Sequence, residues 1–123
     1  MTRRVLVVDD NATLRALSRR VLESLGFEVD EAVDGQDGLT KAEATSYALV
    51  LTDVRMARVD GLTMVERIRA LDSYRKVPIL VVTTDHRPQT MARGRAVGAN
   101  AWLVKPFQRE QLLEVLKTLT RGS

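Results

Sequence analysis

Leu49-Val50-Leu51-Thr52-Asp53 is an apolar run that stops abruptly at a carboxylate. The pattern recurs in Val5-Leu6-Val7-Val8, which runs into Asp9-Asp10. Ile79-Leu80-Val81-Val82 ends in Thr83-Thr84, and Trp102-Leu103-Val104 ends in Lys105-Pro106. Short, nearly unbroken apolar runs are the mark of strands covered on both faces, as in a parallel sheet. A charge at the end of such a strand is costly unless something there requires it. In a parallel sheet all four ends lie on one edge, where open α/β folds place their sites. Three carboxylates, a hydroxyl and an ammonium therefore converge, a set able to hold a divalent cation and accept a phosphoryl group.

Between these runs the apolar period changes to that of helices. Strands are expected at residues 4–8, 28–32, 49–52, 78–83 and 101–104, and helices at 13–25, 36–44, 62–71, 89–97 and 110–119. Leu14, Leu17, Val21 and Leu22 form one helical stripe; Leu112, Val115, Leu116 and Leu119 form another. Asn11, Asp34 and Asp60 are expected N-caps, and Gly26 the stop of the first helix. Five strand–helix units imply one α/β domain over residues 1–123, a doubly wound parallel sheet with helices on both faces. Glu28-Val29-Asp30-Glu31-Ala32 alternates and reads as an edge strand. The stretch from Asp85 to Val97 carries Pro88, Gly94 and few large apolar residues, so it is expected to be weakly anchored and a candidate moving part.

The 123 residues contain no cysteine, which excludes disulfide and thiolate chemistry, and a single histidine, His86, which excludes a histidine-rich metal site. No run is long enough to span a membrane, and Met1-Thr2-Arg3-Arg4 leads straight into a strand without a signal segment. A cytoplasmic location is expected. The net charge of +3 is spread along the chain, with aromatics at only 4%, so a basic surface is expected rather than a nucleic-acid site.

Asp9, Asp10 and Asp53 on adjoining strand ends would repel one another without a cation. Hard oxygen ligands in this number suit Mg²⁺, which keeps some of its waters and meets phosphate readily; Mn²⁺ would substitute. A carboxylate can act as the nucleophile and form an acyl phosphate. A haloacid-dehalogenase-type phosphatase also uses an aspartate nucleophile, but it needs a second acid two residues on, where this chain has Arg55. A flavodoxin-type flavin carrier would need a phosphate loop after the first strand, where Asp9-Asp10 would repel phosphate.

Val7-Val8-Asp9-Asp10, Leu51-Thr52-Asp53, Asp60-Gly61, Val82-Thr83, Gly98-Ala99 and Lys105-Pro106-Phe107 together resemble the receiver domains of two-component response regulators, the CheY-like family. The resemblance covers essentially the whole chain and implies the flavodoxin-like strand order 2-1-3-4-5. It implies that Asp53 is the phosphoacceptor and that Asp9, Asp10, Asp53 and the backbone carbonyl of Arg55 hold the metal. Thr83 then matches the switch hydroxyl, Lys105 the phosphate-pairing cation, and Trp102 the aromatic switch position. Pro106 matches a proline whose preceding peptide bond is typically cis. Tryptophan is bulkier than the commoner tyrosine or phenylalanine at position 102, and Ala57 replaces a frequent proline, implying a looser loop.

Arg55 and Asp85 occupy positions that tune phosphoryl lifetime in the family, and we expect them to pair across the site. The resemblance further implies a histidine kinase or phosphotransfer protein as donor. It implies a target protein at the fourth helix, fifth strand and fifth helix, a flagellar switch protein being one candidate. Self-directed phosphorylation and dephosphorylation are expected rather than substrate turnover. The pathway expected is chemotaxis or a phosphorelay, and the chain is expected to be stand-alone, as a monomer or a phosphorylation-dependent dimer. The alternative is a receiver cut from a longer DNA-binding or enzymatic regulator.

Overall fold

In the computed structural model, which describes residues 3–121, five strands and five α-helices alternate: β1 Arg4–Val8, α1 Ala12–Ser24, β2 Glu28–Ala32, α2 Gly35–Ala44, β3 Leu49–Thr52, α3 Gly61–Arg69, β4 Ile79–Thr83, α4 Pro88–Val97, β5 Ala101–Val104 and α5 Arg109–Thr120. All strand pairs are parallel, in the order β2-β1-β3-β4-β5. The expected fold class and edge position of β2 are therefore observed. Asn11, Asp34 and Asp60 each accept a backbone N–H in the first turn of α1, α2 and α3, which fixes where those helices begin. Gly26, at φ 91°, follows α1 in the left-handed region that halts a helix.

The strand period of two divides the core. Val5, Val7, Leu49, Leu51, Leu80 and Val82 face α1 and α5, where Val21, Leu22, Leu112 and Leu116 meet them. Leu6, Val8, Val50 and Ile79 face the other way, onto Ala42, Met64, Val65 and Ile68 of α2 and α3. Burying a large aliphatic side chain contributes about 1.5–3 kcal/mol. Among the helices α4 is poorest in this respect, because its buried residue is Gly94. Its C-terminal end is fastened instead by Arg69 of α3, whose guanidinium donates to the Gly98 carbonyl at 2.8 and 3.1 Å and to Asn100 Oδ1 at 2.7 Å.

Several boundaries differ from the sequence reading. β4 starts at Ile79 rather than residue 78, because Pro78 carries no N–H for the ladder. The third helix ends at Arg69 rather than 71, and a 3₁₀ turn, Asp72–Tyr74, follows that the periodicity did not reveal. That turn is held from a distance: the buried Tyr74 hydroxyl meets the carbonyls of Ala42 at 2.8 Å and Thr45 at 2.5 Å. The other helix ends shift by at most one residue, within ordinary end fraying.

Candidate functional site

The register sets the carboxylates side by side. Val8 pairs with Thr52, and the Asp53 amide donates to the Val8 carbonyl at 3.1 Å, so Asp9 and Asp53 leave neighbouring strands together. Thr83 pairs with Val104, and the Lys105 amide donates to the Thr83 carbonyl at 2.8 Å, which brings the lysine to the same edge. Lys105 Nζ donates to Asp9 Oδ2 at 2.9 Å and to Asp53 Oδ2 at 3.0 Å. The second oxygens are also engaged: Asp9 Oδ1 accepts from the Asn11 amide at 2.9 Å, and Asp53 Oδ1 from the Val54 amide at 2.6 Å. The peptide bond between Lys105 and Pro106 is cis.

Asp9, Asp10 and Asp53 each present a carboxylate oxygen, all within 4.8 Å of one another. Asp9 is buried, Asp53 partly so, and Asp10 is exposed. A compact set of hard oxygens with one open side fits a small divalent cation that retains water. Burial raises the Asp9 carboxyl above its ordinary value, and the bonds from the Asn11 amide and Lys105 offset this only in part. Burial alone would lower Lys105, yet its bonds to Asp9 and Asp53 prevail and leave its ammonium raised. The site thus holds its acids at an energetic cost that positive charge relieves.

Beside Asp53 the β3–α3 loop is braced rather than loose. Arg58, at φ 67°, donates to Asp34 Oδ2 at 2.8 Å, and the Gly61 amide donates to the Val54 carbonyl at 2.8 Å. Arg58 holds the Asp34 carboxyl below its ordinary value. Ala57 therefore does not leave the loop unsupported, since the brace comes from α2's capping residue.

Thr83 is buried, and its Oγ1 accepts from the Asp85 amide at 3.2 Å. The expected pairing of Arg55 with Asp85 is present but long, 3.8 Å to Oδ2. The nearer partner is Arg87, which sequence reasoning missed. It donates to Asp85 through Nε at 3.0 Å, Nη2 at 2.7 Å and its backbone amide at 3.1 Å. Arg87 holds the Asp85 carboxyl well below its ordinary value. His86 lies outside this constellation, exposed, with Nδ1 at 3.2 Å from the Thr84 carbonyl.

Trp102 is half-buried and donates from Nε1 to the Asp85 carbonyl at 2.9 Å. Its ring lies over Gly94. A Cβ there would meet Cε3 at 3.2 Å and Cη2 at 3.3 Å, with Cζ3 nearer still. Gly94, read from sequence only as a weakness in α4, is the seat of the indole. Gly94→Ala would ordinarily strengthen a helix by about 1 kcal/mol. Here overpacking is expected to win, with a net loss of about 1–2 kcal/mol. Breaking the indole bond should also red-shift the emission of Trp102, the only tryptophan; fluorescence and urea unfolding of the same sample check both effects.

Five parallel strands in this order, with acids, hydroxyl and lysine gathered at their carboxyl ends, define a doubly wound α/β domain with its polar site at the usual edge. The chain belongs to the response regulator receiver domain family, whose description matches residues 5–117. It is thus a two-component response regulator module, of a family that works with histidine kinases and downstream targets. Among solved structures it is similar to the chemotaxis protein CheY4 of Vibrio cholerae, at 37% identity and a TM-score of 0.90, covering 97% of this chain and 99% of that one. It is also similar to the receiver domain of the sensor histidine kinase PA1611 of Pseudomonas aeruginosa, which has a magnesium ion coordinated in its active-site cleft. That pair shares 30% identity with a TM-score of 0.86, covering 97% of this chain and 98% of the other. Protein PilG of P. aeruginosa is 32% identical over 93% of this chain and 84% of its own length. The chain spans only 13% of a Myxococcus xanthus gliding motility regulatory protein, at 35% identity over 83% of the chain, and 16% of the V. cholerae sensor kinase/phosphatase CqsS, at 40% over 90%. Among the described residues no helix is long and apolar enough to cross a membrane.

Proposed function

We propose that this chain takes a phosphoryl group onto Asp53 from a histidine kinase or phosphotransfer protein. An Asp53 carboxylate oxygen attacks the phosphorus of a phosphohistidine, the P–N bond breaks, and the imidazole takes up a proton as it leaves. The observation that carries this reading is the single ammonium of Lys105 bonded to both Asp9 and Asp53 within a cluster of carboxylates. Asp9, Asp10, Asp53 and the Arg55 carbonyl would hold Mg²⁺. When bound, the ion supplies positive charge to the transferring phosphoryl oxygens. Lys105, bonded to the Asp53 carboxylate, would pair with the phosphoryl group, and Thr83 would reach it by giving up the Asp85 amide.

Phosphorylation then redistributes two states of the α4-β5-α5 surface, with Trp102 as its aromatic element, and one of them binds a target protein. The acceptor is modified and restored in place and turns over no separate substrate. We assign the protein to the cytoplasm and to a motility or chemotaxis pathway; the pathway is supported by the likeness to CheY4 and to the gliding motility regulatory protein. A second reading, a receiver within a longer regulator, is favoured by the two relatives of which this chain spans 13% and 16%.

The test is intact-mass measurement after incubation with acetyl phosphate and Mg²⁺. One added phosphoryl group is expected, abolished by chelation and by Asp53→Asn, with a parallel change in Trp102 emission. Absence of the adduct, with acetyl phosphate and with phosphorylated kinases alike, would overturn the reading.

A further inference from the structure

Beside Asp53 a cleft of about 450 Å³ opens between the β3–α3 loop and the start of α4, lined among others by Val54, Arg55, Asp85 and Arg87. Two arginines share one carboxylate in it, and they share it unequally. Arg87 grips Asp85 through both ends of its guanidinium and by its amide. Arg55 stands at 3.8 Å from Oδ2, with its side chain 71% exposed. The Asp85 side chain is only 2% exposed, so its charge needs a partner at all times. Arg87 satisfies that need, which leaves Arg55 two residues beyond Asp53, charged and lightly held.

We infer that Arg87 is a positioning residue for the phosphorylated state: by saturating Asp85 it releases Arg55 to cover the phosphoryl group on Asp53. This rests on the phosphoacceptor reading above. Phosphorylation brings roughly −2 of charge and three strong acceptor oxygens to Asp53. A loosely held guanidinium in the same cleft is drawn to them, and a planar fork of donors suits phosphoryl oxygens. Hydrolysis proceeds when a water oxygen attacks phosphorus and the bond from phosphorus to the Asp53 oxygen breaks, giving inorganic phosphate and the free carboxylate. Arg55 lines the open cleft by which a water would reach the phosphorus, so an arginine laid over the phosphoryl group denies water its approach. Without Arg87, the buried Asp85 captures Arg55 and the phosphoryl group is uncovered.

The position of Asp85 makes the arrangement consequential. Its amide occupies Thr83 Oγ1, its carbonyl receives the Trp102 indole, and its carboxylate takes both arginines. Arg87 therefore also keeps residue 85 in register with the switch side chains.

The experiment is the decay of the Asp53 adduct, followed by intact mass after removal of acetyl phosphate, in Arg87→Ala, Arg55→Ala, the double variant, and Arg87→Ala in an Asp85→Asn background. Arg87→Ala is expected to shorten the lifetime about threefold, to the value of Arg55→Ala, with no further loss in the double variant. Asp85→Asn should erase the effect of Arg87→Ala, because no anion then competes for Arg55. Arg87→Lys should restore part of the lifetime. Independent, multiplicative effects of Arg87→Ala and Arg55→Ala would overturn the inference, as would a loss in Arg87→Ala that persists in the Asp85→Asn background. A wild-type protein that forms no adduct refutes the phosphoacceptor reading and this inference with it; an adduct whose lifetime ignores Arg87 refutes the inference alone. Urea unfolding of each variant separates altered lifetime from altered folding.

Discussion

Gly61→Ala is expected to lose more than about 3 kcal/mol of stability, a large share of the roughly 5–15 kcal/mol that keeps a domain folded. Gly61 opens α3 directly behind the loop that carries Asp53, and it is buried. A Cβ at this position would fall inside the backbone oxygen of Asp53, 2.8 Å from its carbonyl carbon and 2.9 Å from Thr52 Oγ1. Backbone at the end of a central strand cannot give way as a flexible side chain does. The strand would have to move, and the Asp53 carboxylate with it. Gly26→Ala supplies the contrast: its φ of 91° disfavours alanine, but no atom lies within 4 Å of the new methyl. Its expected cost is about 1 kcal/mol, from backbone strain alone. Urea denaturation of both variants compares crowding with strain. If Gly61→Ala costs no more than Gly26→Ala, the loop does not pack on Asp53 as described.

Lys105→Met has an effect that depends on whether a divalent cation is bound. The methionine keeps most of the side-chain volume but removes the ammonium from between Asp9 and Asp53. Without a cation the variant is expected to lose about 2–3 kcal/mol, less than a sealed pair would, because the carboxyls can protonate. With the cation competing against no ammonium, Mg²⁺ should bind roughly tenfold more tightly, read by titrating Trp102 emission. Saturating Mg²⁺ should then return most of the lost stability.

The pH dependence has a definite sign. Asp9 is raised in the folded state, so its favourable contribution is present below its ordinary value of 3.8 and is lost as pH rises through its raised value. Removing Lys105 widens that loss, so the metal-free variant should be more stable in mild acid than at neutrality. Lys105 itself is raised, so its contribution is complete below 10.5 and disappears as pH climbs through its raised value. Unfolding midpoints between pH 4 and 11 should therefore show an alkaline decline in the wild type that Lys105→Met lacks. A variant with unchanged Mg²⁺ affinity and the wild-type pH profile would show that the ammonium is not engaged with these acids in solution.

The sheet was legible because its central strands are covered on both faces and their apolar runs are nearly unbroken. The edge strand was legible for the opposite reason: Glu28, Asp30 and Glu31 interrupt it, and each pairs with an arginine outside the strand. The gathered acids and Lys105 followed from strand ends alone. Arg87 did not, because one arginine among 19 basic residues carries no local mark of its partner. Its role depends on a tight turn that folds it back on Asp85, only two residues away. Arg58 and Arg69 were missed similarly, since they bond groups 24 and 29 residues distant. The 3₁₀ turn escaped because a hydroxyl reaching remote carbonyls holds it. Gly94 could be read correctly only once β5 had been laid against α4.

The two ends of α4 are held by different means. Arg69, the last residue of α3, clamps the carbonyl of Gly98 just past the last turn of α4. Its first turn hangs from residue 85, next to the acid edge of the sheet. A rod with a bearing at one end and a latch at the other does not slide; it tilts. Whatever unlatches residue 85 would displace the near end most and the Gly98 end least, about the contact that Arg69 makes.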